Sequence, residues 1–313
     1  MTANAFETSR KLRANVERVL LGKPDVVQLM VLSLLAGDHV LLEDVPGVGK
    51  TLAAKALAHS IEGTFNRLQF TPDLLPSDIT GSMLYRSDTQ AFQFSAGPIF
   101  ANVILADEIN RAPPRTQSAL LESMSEQQVS IDGTTHALPQ PFMVVATQNP
   151  FEFEGTYLLP ESQLDRFLIR ISVGYPERNI EREVLNTHRV GEPVDTLNAV
   201  VSIPQIIAAQ TATRDVSFDS SLADYLLEIV DATRRHDGFR TGVSTRGALS
   251  FYRGCQALAI TEGRDFVTPD DIKTLAVPIL AHRVAPESMF HGTDREGVEE
   301  QLADILQEIA VPV

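Results

Sequence analysis

Gly47, Gly49, Lys50 and Thr51 stand together inside EDVPGVGKT, residues 43 to 51. Glycines let a loop fold closely round phosphate oxygens, so that successive N–H groups converge on them and the N-terminus of a following helix adds its dipole. In a loop of this kind, running through Pro46, Gly47, Val48, Gly49, Lys50, Thr51 and Leu52, the lysine reaches the β- and γ-phosphates of a nucleotide and the threonine hydroxyl ligates magnesium. The general pattern G-x-x-x-x-G-K-[ST] asks for glycine where this chain has Asp44, so the loop entry is expected to differ. The competing reading is a Gly-rich turn that carries Lys-Thr by chance. It is weakened by the strand pattern before the loop and the helix pattern after it.

Two adjacent acids, Asp107 and Glu108, end the apolar run ANVILAD at 101 to 107. A carboxylate leaving the carboxyl end of a sheet beside a phosphate loop can hold magnesium through its water shell. Its neighbour can take the proton of an attacking water. Solvated acids capping a strand are the alternative. Asn149 follows the next apolar run, FMVVAT, and could place an amide by the γ-phosphate; otherwise it is a turn residue before Pro150. Arg166, in PESQLDRFLI, could stabilise charge in phosphoryl transfer, with Arg170 a weaker competitor. Arg246, in GVSTRGALSF, could report nucleotide state to a second domain. For Arg166 the plain alternative is a surface ion pair with Asp165 or Glu161.

These residues need a scaffold of alternating strands and helices. Strands are expected at 39–45, 64–70, 101–107, 142–147 and 168–173; 103–106 and 143–146, apolar at successive positions, read as central strands of a parallel sheet covered on both faces. Helical patterns intervene at 51–60 and 113–126, where Pro113 and Pro114 suit a first turn. The result is a doubly wound α/β domain. After 176–189 the pattern becomes helical, near 203–212, 219–236, 244–262, 268–282 and 294–309. A P-loop core over 1–190 and a small all-α domain over 191–313 are therefore expected, joined through GEPVDTLNAV at 191–200.

With 313 residues the chain can bury two cores, and 43% hydrophobic against 21% charged residues is globular rather than disordered. A formal charge of −15 disfavours nonspecific binding to nucleic acid. The longest apolar stretch, 26–42, is interrupted by Gly37, Asp38 and His39, short of the roughly 20 residues of a membrane span. No export signal is visible at the start, so the cytoplasm is the expected location. The single cysteine, Cys255, excludes an intrachain disulfide and reads as a small core residue.

Taken in order, these motifs resemble those of the AAA+ ATPases, and among them the MoxR-type family closely, over nearly the whole chain. The matching segments are LLEDVPGVGKT at 41–51, FTPDLLPSDITG at 70–81, ADEINRAPPRTQSALLESM at 106–124, ATQNP at 146–150 and LPESQLDRFL at 159–168. Asp44 is familiar in that family. The resemblance implies a five-stranded core of order 5-1-4-3-2, a helical lid, and a ring, usually hexameric, with ATP sites at subunit contacts. It places Lys50 and Thr51 in Walker A, Asp107 and Glu108 in Walker B, Asn149 at sensor 1, Arg166 at a trans-acting finger and Arg246 at sensor 2. ATP and Mg2+ are the implied cofactors. Two hairpin-like insertions are expected at 83–97 and 127–138. His136 lies in the second, with no partner at metal-ligand spacing. The implied activity is ATP-driven remodelling or maturation of a protein client, alongside a von Willebrand factor A-type partner. A DNA-directed motor and a nucleotide-gated scaffold with little turnover are the alternatives.

Overall fold

The computed structural model describes residues 2–150, 155–187, 189, 191–287 and 295–312; the expected helix start at 294 and His188 of the 176–189 segment lie outside them. Five strands form one parallel sheet: β1 (Val40–Glu43), β2 (Phe65–Gln69), β3 (Val103–Asp107), β4 (Met143–Gln148) and β5 (Ile169–Ile171). Their order is β5-β1-β4-β3-β2, as the resemblance implied. Both β1 and β3 are buried at every position. Their side chains alternate between two apolar layers, because successive residues of a strand face opposite ways. Leu42, Leu105 and Val145 join one layer, whereas Leu41, Ile104 and Val144 join the other.

Helices α1 (Thr2–Glu17), α2 (Pro24–Ala36) and α3 (Lys50–His59) enclose the first layer. Helix α4 (Pro114–Glu126) closes the second through Leu120, Leu121 and Met124. Pro113 and Pro114 occupy its N-cap and first turn, where a missing N–H costs nothing. Helix α5 (Arg178–Thr187) follows the sheet and buries none of its residues.

The remaining chain is helical, as expected: α6 (Ile203–Arg214), α7 (Ser220–Arg235), α8 (Thr245–Thr261), α9 (Pro269–Leu280) and α10 (Arg295–Glu308). Two short strand pairings are added to it, Val201–Ser202 beside Ile61–Glu62 and Phe239–Thr241 beside Ala285–Pro286. The first apolar layer continues through these helices as far as Ile305.

Both insertions are antiparallel hairpins, one pairing Gly81–Arg86 with Ala91–Ala96 and the other Gln128–Ile131 with Thr134–Ala137. The Phe94 and His136 rings stack at 4.0 Å and join them. No helix among the described residues is long and apolar enough to cross a membrane.

Candidate nucleotide site

The loop after β1 turns sharply into α3. Gly49, at the N-cap, has φ 98° and ψ 14°. A side chain in that left-handed region costs about 1–2 kcal/mol, so the turn selects glycine. Lys50 doubles back over the loop: its Nζ donates to the carbonyls of Val45, at 3.0 Å, and Asp44. The Asp44 side chain ties the loop entry to the end of β5. Its Oδ2 accepts from Ser172 Oγ and from the Gly174 N–H, each at 2.7 Å, and its Oδ1 accepts from the Val45 N–H at 2.7 Å. Burial alone would raise the carboxyl's pKa; those hydrogen bonds and the Lys50 charge outweigh it and hold the group below its ordinary value. The departure from the general motif is thus an anchor.

Asp107 ends β3 and is buried. Its Oδ2 accepts from Thr51 Oγ1 at 3.4 Å, so the hydroxyl and the carboxylate meet beside the loop. The same oxygen accepts from Arg67 Nε at 3.1 Å and Nη2 at 2.7 Å, and Oδ1 accepts from Thr147 Oγ1 at 2.6 Å. Glu108 follows with φ 57° and ψ 50°, a left-handed conformation uncommon outside glycine and often found where function demands a fixed direction. Its N–H donates to Thr147 Oγ1 at 2.9 Å, while its carboxylate accepts from Gln69 Nε2 at 2.8 Å and Arg111 Nη1 at 2.9 Å.

Asn149 lies buried just past β4, its carbonyl accepting from Asn110 Nδ2 at 3.3 Å. Lys50, Thr51, Asp107, Glu108 and Asn149 therefore gather at the carboxyl ends of β1, β3 and β4, the end of an α/β sheet where ligands bind. Three arginines are held by other elements. Arg166 follows the short helix Glu161–Leu164 and donates through Nη1 to the Leu121 carbonyl, at 2.6 Å, and to Ser125 Oγ, at 2.7 Å, both on α4. Its sequence neighbours are engaged by others: Asp165 by Arg283 at 2.6 Å and Glu161 by Arg240 at 2.7 Å. Arg170 lies on β5 with Nη1 3.6 Å from Glu43 Oε1. Arg246 is exposed in the first turn of α8.

Residues 39–169 match the ATPase family associated with various cellular activities (AAA), and 231–309 match an AAA lid domain. The chain is 43% identical over 278 residues to Chaperone MoxR1 of Mycobacterium tuberculosis, covering 86% of this chain and 73% of that one. The chain belongs to the MoxR-type AAA+ ATPases. It is also 48% identical to the uncharacterized protein YeaC of Bacillus subtilis, over 96% of this chain and 93% of YeaC. A crystal structure of a candidate ATPase from Cytophaga hutchinsonii superposes with a TM-score of 0.88 at 37% identity, over 99% of this chain and 97% of that one.

Membership of the MoxR-type AAA+ family implies nucleotide binding, and the residues suit it. The Gly49 turn aims the start of α3 at the loop, and Lys50 supplies a cation there. Thr51 and Asp107 present oxygen donors, the chemistry that a small hard cation such as Mg2+ requires. Sequence reasoning missed Arg67, Gln69 and Thr147. The alternation of TFNRLQF does put Arg67 and Gln69 on one face of β2, but only the pairing of Gln69 with Asp107 shows what that face meets.

Proposed function

We propose that this MoxR-type chain hydrolyses ATP with Mg2+ and uses the cycle to remodel or mature a protein client. The observation that carries the reading is the cluster of Thr51, Asp107, Thr147 and Glu108 at the sheet's carboxyl end beside the phosphate loop. Pro46, Gly47, Val48, Gly49 and Leu52 shape the loop, and Lys50 meets the β- and γ-phosphates. Thr51 and Asp107 are the residues that would hold Mg2+, which would supply charge neutralisation at the phosphates. Glu108 accepts the proton of the attacking water, and Asn149 orients that water. ATP bound with its metal supplies the phosphoryl group and much of the charge neutralisation.

In this reading the chain divides near residue 190 into core and lid, and works in the cytoplasm as a homo-oligomeric, six-membered ring. Arg166 serves the neighbouring subunit's site, and Arg246 senses nucleotide from the lid. A von Willebrand factor A-type protein is the expected partner. The name Chaperone MoxR1 of a relative supports a protein client.

Replacing Glu108 by Gln separates hydrolysis from mere binding. Turnover should fall at least about 100-fold while nucleotide affinity persists, whereas a scaffold with little turnover would show no change. Lys50→Ala should lose nucleotide binding itself. Capture of proteins on the Glu108→Gln chain in ATP, compared with the same chain in ADP, identifies the client; equal capture in both states argues against ATP-driven remodelling.

A further inference from the structure

The turn at 161–168 is held from two sides. On one side is the region of the lid. Arg283, just past α9, has a side chain with 0% exposure and donates through Nη1 to Asp165 Oδ1 at 2.6 Å. Its Nη2 donates to the Phe167 carbonyl at 2.6 Å and its Nε to the Ile279 carbonyl at 2.8 Å. The other oxygen of Asp165 accepts from Ser244 Oγ at 2.9 Å. Ser244 is the N-cap of α8, its hydroxyl also accepting from the Gly247 N–H at 2.9 Å. Gly247 is small for a reason visible here: a Cβ on it would lie 2.8 Å from Val243 Cγ1 and 3.1 Å from Arg283 Cδ.

On the other side is α4, whose last turns receive the Arg166 guanidinium through Leu121 and Ser125. A single peptide link thus joins the lid's anchor, Asp165, to the candidate finger, Arg166. A buried guanidinium is costly unless its donors stay satisfied, so a displacement of Arg283 must carry Asp165 with it. Ser244 adds a second tether two residues before Arg246.

We propose that Asp165 is a positioning residue that converts the placement of the lid into the placement of Arg166, so that nucleotide state at one site tunes catalysis at the next. The inference rests on the reading of Arg166 as a finger. Lid movement sensed at Arg246 passes through Ser244 and Arg283 to Asp165, and from there along the backbone to Arg166.

The test is a double-mutant cycle on the full-length chain with Asp165→Asn, Arg166→Ala and both, reading kcat, KM, melting temperature and affinity for a fluorescent ATP analogue. Arg166→Ala should lower kcat at least about 100-fold, and Asp165→Asn about tenfold with analogue affinity within about twofold of the parent. The double variant should turn over no more slowly than Arg166→Ala alone, because the path ends at that residue. An equal further loss in the Arg166→Ala background, or an Asp165→Asn chain at full kcat, overturns the inference while leaving the finger intact. Full kcat in Arg166→Ala overturns the finger reading itself, and the inference with it. If Asp165→Asn does not fold, Ser244→Ala in the same cycle keeps the Arg283 pair and removes the α8 tether together with the cap bond from Gly247. It should lower kcat several-fold, again only when Arg166 is present.

Discussion

The hydroxyl of Thr147 lies 2.6 Å from Asp107 Oδ1 and at the same time accepts the Glu108 N–H at 2.9 Å, so one buried side chain on β4 sets the direction of both acids at the end of β3. Replacing it with valine keeps the shape and removes both bonds. Thr147→Val should cost about 1–3 kcal/mol in stability, since the buried Asp107 carboxylate and the half-buried Glu108 N–H lose their partner. Turnover should fall more than about tenfold, with nucleotide affinity nearly unchanged, and Thr147→Ser should restore most of it. Denaturant unfolding and steady-state kinetics on the pair check this. Equal activity of the valine and serine chains would sink it.

Arg67 places its charge on the same Asp107 oxygen that faces Thr51. A cation there opposes a second cation at that oxygen, by Coulomb repulsion that the surrounding water only partly screens. Arg67→Gln should therefore shift the magnesium dependence of nucleotide binding to concentrations several-fold lower. Titration of Mg2+ at fixed nucleotide, followed by fluorescence of a labelled analogue, reads the shift. An unmoved midpoint would show that Arg67 does not govern metal affinity.

Asp44 gives a cleaner separation of fold from site. Asp44→Gly makes the loop conform to the general motif yet deletes the hydrogen bonds from Ser172 and Gly174. Loosening the loop entry should weaken nucleotide binding about tenfold, equivalent to about 1.4 kcal/mol, a plausible sum for two such bonds. Asp44→Asn, which can still accept hydrogen bonds, should lose less. Isothermal titration with ADP decides, and tighter binding by the glycine chain would refute the anchoring role.

His39 supplies a pH dependence whose sign follows from its surroundings. Its Nδ1 accepts the Val144 N–H at 3.1 Å, so the neutral ring carries its proton on Nε2, 3.2 Å from the Met124 carbonyl. Burial lowers its pKa from 6.5, outweighing the opposing effects of Asp38 and Met124. Below pH 6.5 the unfolded chain binds a proton that the folded chain resists. The stabilisation is therefore full above that value and is lost as pH falls toward the folded pKa, at up to about 1.4 kcal/mol per pH unit. Urea unfolding at pH 7.5 and 5.5, for the parent and for His39→Gln, should show the gap between them shrinking at the lower pH. Parallel pH profiles would rule this out.

Much of the scaffold is legible in the amino-acid sequence. The buried runs at 103–106 and 143–146 are apolar at successive positions because both faces of those strands are covered, and they form the middle of the sheet. Lys50 and Thr51 were legible because a strand, a glycine turn and a helix follow one another within a few residues. Asp107 and Glu108 were legible for a similar reason, as the end of a strand defines where its next residues emerge. Arg67 and Thr147 were not. Their roles depend on strand register: β2 and β4 flank β3, and residues about 40 positions away along the chain are brought alongside Asp107.

The sequence by itself determined the groups on offer, a glycine-rich loop with Lys50 and Thr51 and two strand-end acids, because covalent spacing within a strand, turn or helix leaves those side chains few places to go. Partner choice was decided only in three dimensions. Arg166 had Asp165 and Glu161 beside it, yet folding gave Asp165 to Arg283, 118 residues away, and Glu161 to Arg240, and set Arg166 on α4 instead. Asp44, odd against its motif, acquired a purpose only when β5 brought Ser172 and Gly174 to it. Side chains far apart in sequence are matched by sheet register and helix packing, which satisfy buried charges and hydrogen bonds over the whole molecule at once.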